Sequence, residues 1–260
     1  MKRVQATKVD HLKVADYMTH NPVTVTSDAS LPYAVKIMAK RGIGNLIVIE
    51  NGKTIGLITE REILQHLIFN KEEIRNIPVK DEITKSFARI TPSTNIIDAA
   101  KEMISKKVRL LVFDNENLLG VVTASDLVRA FKKTGESPSL EGIMSKQLFT
   151  MRYDDTIFNA IKIMYEKRIG SVVITKNGKP YGIFTERDLP VIVLAKDVSL
   201  DNNVGDYCSS PLITTTIGVR AKDAAEIMSS NNVKRLPITS DGKLIAIVTA
   251  RDLVEAFQKV

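Results

Sequence analysis

The sequence predicts an α/β fold (α+β repeats) assembled from four tandem copies of one unit of about 60 residues. Two observations carry this. Four segments end alike: Gly56-Leu57-Ile58-Thr59-Glu60-Arg61-Glu62, Gly120-Val121-Val122-Thr123-Ala124-Ser125-Asp126, Gly182-Ile183-Phe184-Thr185-Glu186-Arg187-Asp188 and Ala246-Ile247-Val248-Thr249-Ala250-Arg251-Asp252. Their threonines stand 64, 62 and 64 residues apart. Upstream of each threonine, apolar residues recur at i, i+3, i+4 and i+7, the stripe of a helix with one face on a core.

Each unit then reads strand, helix, hairpin, helix. The four helical stripes are Leu31/Ala34/Val35/Met38, Ile96/Ala99/Ala100/Met103, Ile157/Ala160/Ile161/Met164 and Ala221/Ala224/Ala225/Met228; the methionines read as core filler. Two apolar runs follow, such as Leu46-Ile47-Val48-Ile49 and Ile55-Gly56-Leu57-Ile58. Asn51-Gly52, Asn177-Gly178 and Asp241-Gly242 separate such runs, dipeptides that favour tight hairpin turns. A second helix starts after the threonine. The units span residues 10–69, 76–133, 140–196 and 201–260, with a polar, turn-rich linker at 134–139. Units one and three share Lys-Arg-(Gly)-Ile-Gly before the hairpin and Thr-Glu-Arg after it. Units two and four share Asp-Ala-Ala and Asp-Leu-Val. Matching threonines in this longer repeat lie 126 residues apart, which points to duplication of an adjacent pair.

Composition sets limits on function. The chain is 44 % hydrophobic and 26 % charged, the balance of a soluble globular protein. No apolar run approaches the roughly 20 residues of a membrane span, and the polar start does not read as a signal peptide. One cysteine, Cys208, excludes an intrachain disulfide and fits a cytoplasmic location. The net charge of +7 is spread evenly between the halves and suits anionic ligands of any size. Asn51-Gly52-Lys53-Thr54 looks like half a phosphate-binding loop, but Ile47 stands where the motif needs glycine. His11, His20 and His66 show no metal-ligand spacing, and no nucleophile–base constellation is visible, so no enzyme, catalytic residue or metal site is expected.

A 60-residue repeat ending Gly-h-h-Thr-x-x-Asp, with h hydrophobic, resembles the CBS (cystathionine-β-synthase) domain. The resemblance covers nearly the whole chain and implies four repeats paired into two pseudo-twofold Bateman modules, similar to stand-alone archaeal four-repeat proteins and to the γ subunit of AMP-activated protein kinase. It implies a non-catalytic regulatory sensor whose clefts bind AMP, ADP or ATP, with S-adenosylmethionine or NAD as lesser candidates and no required cofactor.

The resemblance further implies that the motif Asp binds ribose hydroxyls and the Thr lies near ribose and phosphate: Thr123/Asp126, Thr185/Asp188 and Thr249/Asp252, with Thr59 and the longer Glu62 in the first repeat. Clefts are expected to combine Glu62 with Asp126 and Asp188 with Asp252, the latter set being more complete. Arg61, Arg187 and Arg251, just before the carboxylates, and Arg109 and Arg235 on the first hairpin strand are candidates for phosphate, which suits a guanidinium fork. Asn45 and Ser171 hold the strand position in the odd repeats. Spacing alone favours another reading, which the resemblance reverses for the Asp repeats: Thr-x-x-Asp/Glu at a helix start is close to a capping box, and the arginines could be solvated surface charges. A nucleic acid, an unidentified protein partner and a second copy of the chain stay open as partners; a membrane does not.

Overall fold

The computed structural model describes residues 11–70 and 74–259. The polar stretch 1–8, Asp10 at the start of the first repeat and Val260 at the end of the fourth lie outside the described residues. In chain order the elements are β1 (Thr19–His20), β2 (Thr24–Thr26), α1 (Leu31–Arg41), β3 (Asn45–Glu50), β4 (Lys53–Thr59) and α2 (Glu60–Phe69). The second repeat supplies β5 (Phe87–Ile90), α3 (Ile96–Lys106), β6 (Arg109–Asp114), β7 (Asn117–Val122) and α4 (Ala124–Phe131). The third supplies β8 (Thr150–Arg152), α5 (Ile157–Glu166), β9 (Ser171–Lys176), β10 (Lys179–Thr185) and a π-helical segment, Leu189–Leu194. The fourth supplies β11 (Thr215–Thr216), α6 (Ala221–Ser230), β12 (Arg235–Ser240), β13 (Lys243–Thr249) and α7 (Ala250–Gln258).

Every repeat builds the same small sheet: a short first strand parallel to the first hairpin strand, which pairs antiparallel with the second. The two-residue turn Asn51-Gly52 has φ of 48° and 75°, Asn177-Gly178 53° and 74°, and Asp241-Gly242 48° and 73°. Positive φ at both positions matches the strand twist, and these residue types tolerate it. The Asn-Gly-Lys-Thr look-alike is therefore a hairpin turn, with Glu50 paired to Lys53. The four methionines and their stripes are buried, as the periodicity requires.

The short segment leading into each repeat does not pack on that repeat. Leu12 and Lys13 bond at the head of α3, and β1 pairs with β7. Ile77 and Pro78 meet the head of α1, and Thr84 bridges Leu57 on β4. Pro138 and Ser139 meet the head of α6 while Ser145 bridges Ile247 on β13; Asn202 and Asn203 meet the head of α5 while Ser209 bridges Ile183 on β10. Repeats 1 and 2 thus exchange leading segments, and so do repeats 3 and 4. Each segment buries one aliphatic side chain completely: Val14, Val79, Leu140 and Val204 are all 0 % exposed. Burial of that size is worth about 1.5–3 kcal/mol apiece.

This exchange explains the glycine that opens the repeated motif. A Cβ on Gly56 would lie 2.8 Å from Thr84 O, on Gly120 2.9 Å from Thr19 O, and on Gly182 2.6 Å from both Ser209 O and Cys208 Sγ. The incoming backbone needs the room a side chain would take.

Contacts divide the chain into two compact units that interleave in sequence. One joins residues 23–85 with 148–213, that is, repeats 1 and 3; the other joins 86–147 and 214–259 with the described residues before Val23, that is, repeats 2 and 4. The first has a continuous core running from the α1 stripe through Leu46, Val48 and Ile63 to the α5 stripe, Phe184 and Leu189. In the second, α4 packs along α7, where Phe131 stacks on Phe257 with ring centroids 5.2 Å apart. Compact packing thus joins like repeat with like rather than sequence neighbours. The signatures shared by odd repeats and by even repeats are those of packing partners.

The close approach at the motif glycine sets a measurable cost. Gly182→Ala is expected to destabilise the protein by about 1–3 kcal/mol through overpacking, whereas Gly178→Ala, in open space at a hairpin tip, costs only its strained positive φ, about 1 kcal/mol. Urea unfolding of the two variants separates them; equal losses would show that the exchanged segment yields freely.

Candidate functional site

In each repeat the second hairpin strand ends at the motif threonine or one residue before it, and in repeats 1, 2 and 4 the chain turns directly into an α-helix. In repeats 2, 3 and 4 the aspartate three residues on folds back over this turn. Thr123 donates to Asp126 Oδ2 from N at 2.9 Å and from Oγ1 at 2.7 Å. Thr185 does the same to Asp188 Oδ2 at 2.7 and 2.9 Å, and Thr249 to Asp252 Oδ2 at 2.7 and 2.9 Å. Asp126 and Asp188 are buried, at 6 % and 7 % exposure. A carboxylate that accepts both bonds on one oxygen keeps acceptor capacity on the other. In repeat 2 that other oxygen, Asp126 Oδ1, lies 3.1 Å from Arg129.

The capping-box reading holds in full for repeat 4, where Asp252 N also donates to Thr249 Oγ1 at 3.4 Å, and Asp126 closes a box in repeat 2. Repeat 1 differs: Glu62 accepts from the Thr59 hydroxyl, and Arg61 N donates to that same oxygen at 3.1 Å. Repeat 3 differs again. Pro190 follows Asp188 at once, and the segment from Leu189 to Leu194 winds as a π-helix, yet both Thr185–Asp188 bonds are kept.

The strand-position candidates stand opposite these threonines. Asn45 pairs with Thr59, Ser171 with Thr185 and Arg235 with Thr249; Arg109 is one step before Leu110, which pairs with Val122. Within their unit, Arg109 and Arg251 are close enough to repel. The Arg251 guanidinium is held below its ordinary pKa by burial first and by the Arg109 charge second, with Asp252 opposing.

The arginines before the carboxylates do something neither expected reading described. Arg61 reaches from repeat 1 to repeat 3, donating to Met164 O at 3.1 Å and Ile169 O at 3.4 Å at the end of α5, and pairing with Glu186 at 2.8 Å. Arg187 reaches back to Gly42 O at the end of α1, and Arg251 to Met103 O, near the end of α3, at 2.6 Å. Each neutralises the negative end of a helix in the opposite repeat of its own unit. At Gly44 a Cβ would lie 2.6 Å from the Glu60 carboxylate. Glu60 and Glu186 were not singled out from sequence; glycines at 44 and 170 beside Thr-Glu-Arg were the available signal. Cys208, the single cysteine, lies on the exchanged segment. Its thiol is pushed up to about 11 by burial, reinforced by the Asp188 charge.

Glu62 and Asp126 fall in different compact units, as do Asp188 and Asp252. What each unit holds by itself is two complete corners: Asn45, Thr59, Arg61 and Glu62 with Ser171, Thr185, Arg187 and Asp188 in one, and Arg109, Thr123 and Asp126 with Arg235, Thr249, Arg251 and Asp252 in the other. Among the described residues no group of His, Cys, Asp and Glu is placed to hold a metal ion, and no helix is long and apolar enough to cross a membrane.

Four such corners, on four small mixed sheets linked by exchanged segments, define a tandem β/α repeat protein. The sequence profile of the CBS domain matches residues 14–69, 72–133, 140–189 and 204–259, and the chain belongs to that family, with the fold of four CBS repeats in two Bateman modules. It is 28 % identical to the uncharacterized protein MJ1404 of Methanocaldococcus jannaschii over 263 residues, covering 93 % of this chain and 61 % of that protein. A 33.4 kDa protein of the Thermofilum pendens ribosomal RNA operon is 29 % identical over 189 residues, 67 % of this chain and 62 % of that one. The chain thus spans about three fifths of the length of these relatives. Among solved structures, protein MJ1225 of M. jannaschii superposes with a TM-score of 0.81 at 19 % identity, covering 95 % of this chain and 100 % of that one.

Burial holds the Asp252 carboxyl above its ordinary value of 3.8, against the lowering effect of its Thr249 bonds. A carboxyl raised on folding contributes stability that is complete below the unfolded value and is lost as pH rises through the folded one. Asp252→Asn removes this titration. Its stability relative to wild type is expected to improve as pH rises from about 3 to about 7. Parallel urea midpoints across that range would contradict the assignment.

Proposed function

We propose that the protein is a non-catalytic regulatory sensor for adenine nucleotides, with the Thr-x-x-Asp corners as its ribose-binding groups. The observation that carries this reading is repeat 3. Its Asp188 holds the same two bonds to Thr185 as its counterparts although no α-helix follows to be capped. A capping role alone would not require that geometry at a π-helical start broken by proline, whereas an acceptor held rigid for vicinal hydroxyls does. The likeness to MJ1225, which has been proposed as an archaeal homolog of γ-AMPK, supports the same reading.

The phosphates belong with the even repeats. Arg109 and Arg251 repel each other in a partly dehydrated setting, an arrangement an anion relieves. Arg235 stands opposite Thr249 there, while the odd repeats put Asn45 and Ser171 at the matching strand position. Arg61 and Arg187 are committed to Glu186 and to helix-end carbonyls, as Arg251 is to Met103 O, so the strand arginines Arg109 and Arg235 are what distinguish the even repeats. A nucleotide favouring one arrangement of the repeats would shift an equilibrium that a protein partner reads.

Thermal unfolding with AMP, ADP, ATP, S-adenosylmethionine, NAD and a short RNA duplex tests this. A ligand at a hundredfold excess over its Kd adds about 2.7 kcal/mol, roughly a 5–10 °C rise for a chain of this size. Calorimetry on Asp252→Ala and Asp188→Ala is expected to show affinity reduced at least about tenfold for the same ligand. Arg109→Ala is expected to weaken AMP or ATP by a similar factor and to leave adenosine unchanged. No shift from any adenosyl ligand at millimolar concentration sinks the proposal, and a salt-sensitive shift from RNA alone replaces it with a nucleic-acid role.

A further inference from the structure

One place is built in opposite ways in the two compact units. Between α2 and α5 the helices are joined by the Arg61–Glu186 ion pair and by two carbonyl bonds of Arg61. Phe69 and Tyr165 meet edge to face there, with ring centroids 5.5 Å apart. In the even repeats, Arg61, Glu186, Tyr165 and Ile161 correspond to Ser125, Ala250, Ser229 and Ala225. All four are smaller, and a pocket of about 220 Å³ stands between α4 and α6 where the odd unit is filled.

The same comparison shows a gain of charge. Gln65, Ile68 and Gly170 of the odd repeats correspond to Arg129, Lys132 and Lys234, and all three cations line the pocket. No carboxylate lines it among the described residues. The end of α6 is already satisfied: Ile227 O accepts from Asn231 N at 3.2 Å, Met228 O from Val233 N at 2.9 Å and Ser229 O from Asn232 N at 3.2 Å. Ser125, Ser229 and Asn232 bring side-chain donors to the walls. The floor, from Val128, Ala225, Met228 and Leu253, is buried and apolar. Arg129 is anchored by Asp126 at 3.1 Å and Tyr17 O at 2.6 Å, and a guanidinium with five N–H groups keeps donors beyond those two. Lys132 pairs with Glu226, whose side chain is 66 % exposed, and such a pair contributes little and yields to a better-placed anion. None of the residues singled out for ribose or phosphate lines this pocket.

We infer that the pocket between α4 and α6 is a second binding site, for a small organic anion with a carboxylate or phosphate head on a short hydrocarbon body. The head meets Arg129, Lys132 and Lys234 and displaces Glu226 from Lys132, while the body lies on the apolar floor. The volume falls below the roughly 300–1,000 Å³ of ordinary ligand pockets, which keeps the ligand small. Binding there ties α4 to α6, as Arg61, Glu186 and Tyr165 tie α2 to α5.

The test is titration calorimetry of the full chain with phenyl phosphate, phenylacetate, inorganic phosphate, acetate and benzyl alcohol. Saturable one-to-one binding is expected for phenyl phosphate or phenylacetate, and the tighter of the two assigns the head group. Inorganic phosphate and acetate lack the body and benzyl alcohol lacks the charge, so each is expected to bind at least about tenfold more weakly. Lys132→Gln and Lys234→Gln are each expected to weaken binding about tenfold, and Glu226→Gln to tighten it about two- to fivefold. Ser229→Tyr, a change at an exposed position that refills the pocket as Tyr165 fills its counterpart, is expected to abolish binding without altering a charge. No saturable binding by either aromatic anion at millimolar concentration overturns the inference, as does benzyl alcohol binding as tightly as they do. Arg109→Ala is expected to leave these isotherms unchanged, so the outcome is read separately from that of the nucleotide panel. Binding lost in Arg109→Ala but kept in Ser229→Tyr puts the anion at the proposed nucleotide phosphate position instead and overturns the inference.

Discussion

A three-stranded sheet of this size leaves the second hairpin strand as an open edge, and an open edge is a template for unwanted pairing. The borrowed segment that closes it is the contact on which the architecture rests. It brings its own backbone groups to the edge, inserts one aliphatic side chain into the core, and meets the head of the first helix. The motif glycine, the buried Val14, Val79, Leu140 and Val204, and the fixed entry angle into each first helix follow from that one docking. Repeat 4 shows the tolerance of the arrangement, with Ala246 at the glycine position beside a bridge from Ser145 to Ile247.

The second organising interaction is electrostatic. A helix ends with unpaired carbonyls and a partial negative charge, and here the compensating guanidinium comes from the opposite repeat of the compact unit. In the odd pair the arrangement is reciprocal and reinforced by an ion pair across repeats. In the even pair only one direction is retained, through Arg251, and the strand positions carry the arginines Arg109 and Arg235. One unit is closed by its own charges, while the other keeps charge and space available.

Much of this was legible in the residues. Hydrophobic period located α1, α3, α5 and α6, and the Asn-Gly and Asp-Gly dipeptides located the hairpins, because both signals are local. The Thr-x-x-Asp corners were legible as paired groups for the same reason: their bonds close within four residues. The docking of leading segments was not, since residues such as Val79 and Leu140 carry no periodicity that names the surface they bury against. The role of Arg61 was hidden too, because its partners Met164 and Glu186 lie more than a hundred residues away. Likeness between odd repeats was visible, but reading it as ancestry alone missed that like repeats are packing partners.

The borrowed segments also impose an order on the nascent chain. Repeat 1 leaves the ribosome with the edge of β4 bare, and that edge stays bare until residues 77–84 emerge. Its compact unit cannot close until repeat 3 and the segment through Ser209 have followed. Synthesis proceeds at roughly 5–20 residues per second, so β4 is exposed for about a second or more and the unfinished unit for several times longer. Interleaving the repeats in this way ties assembly to the second half of translation.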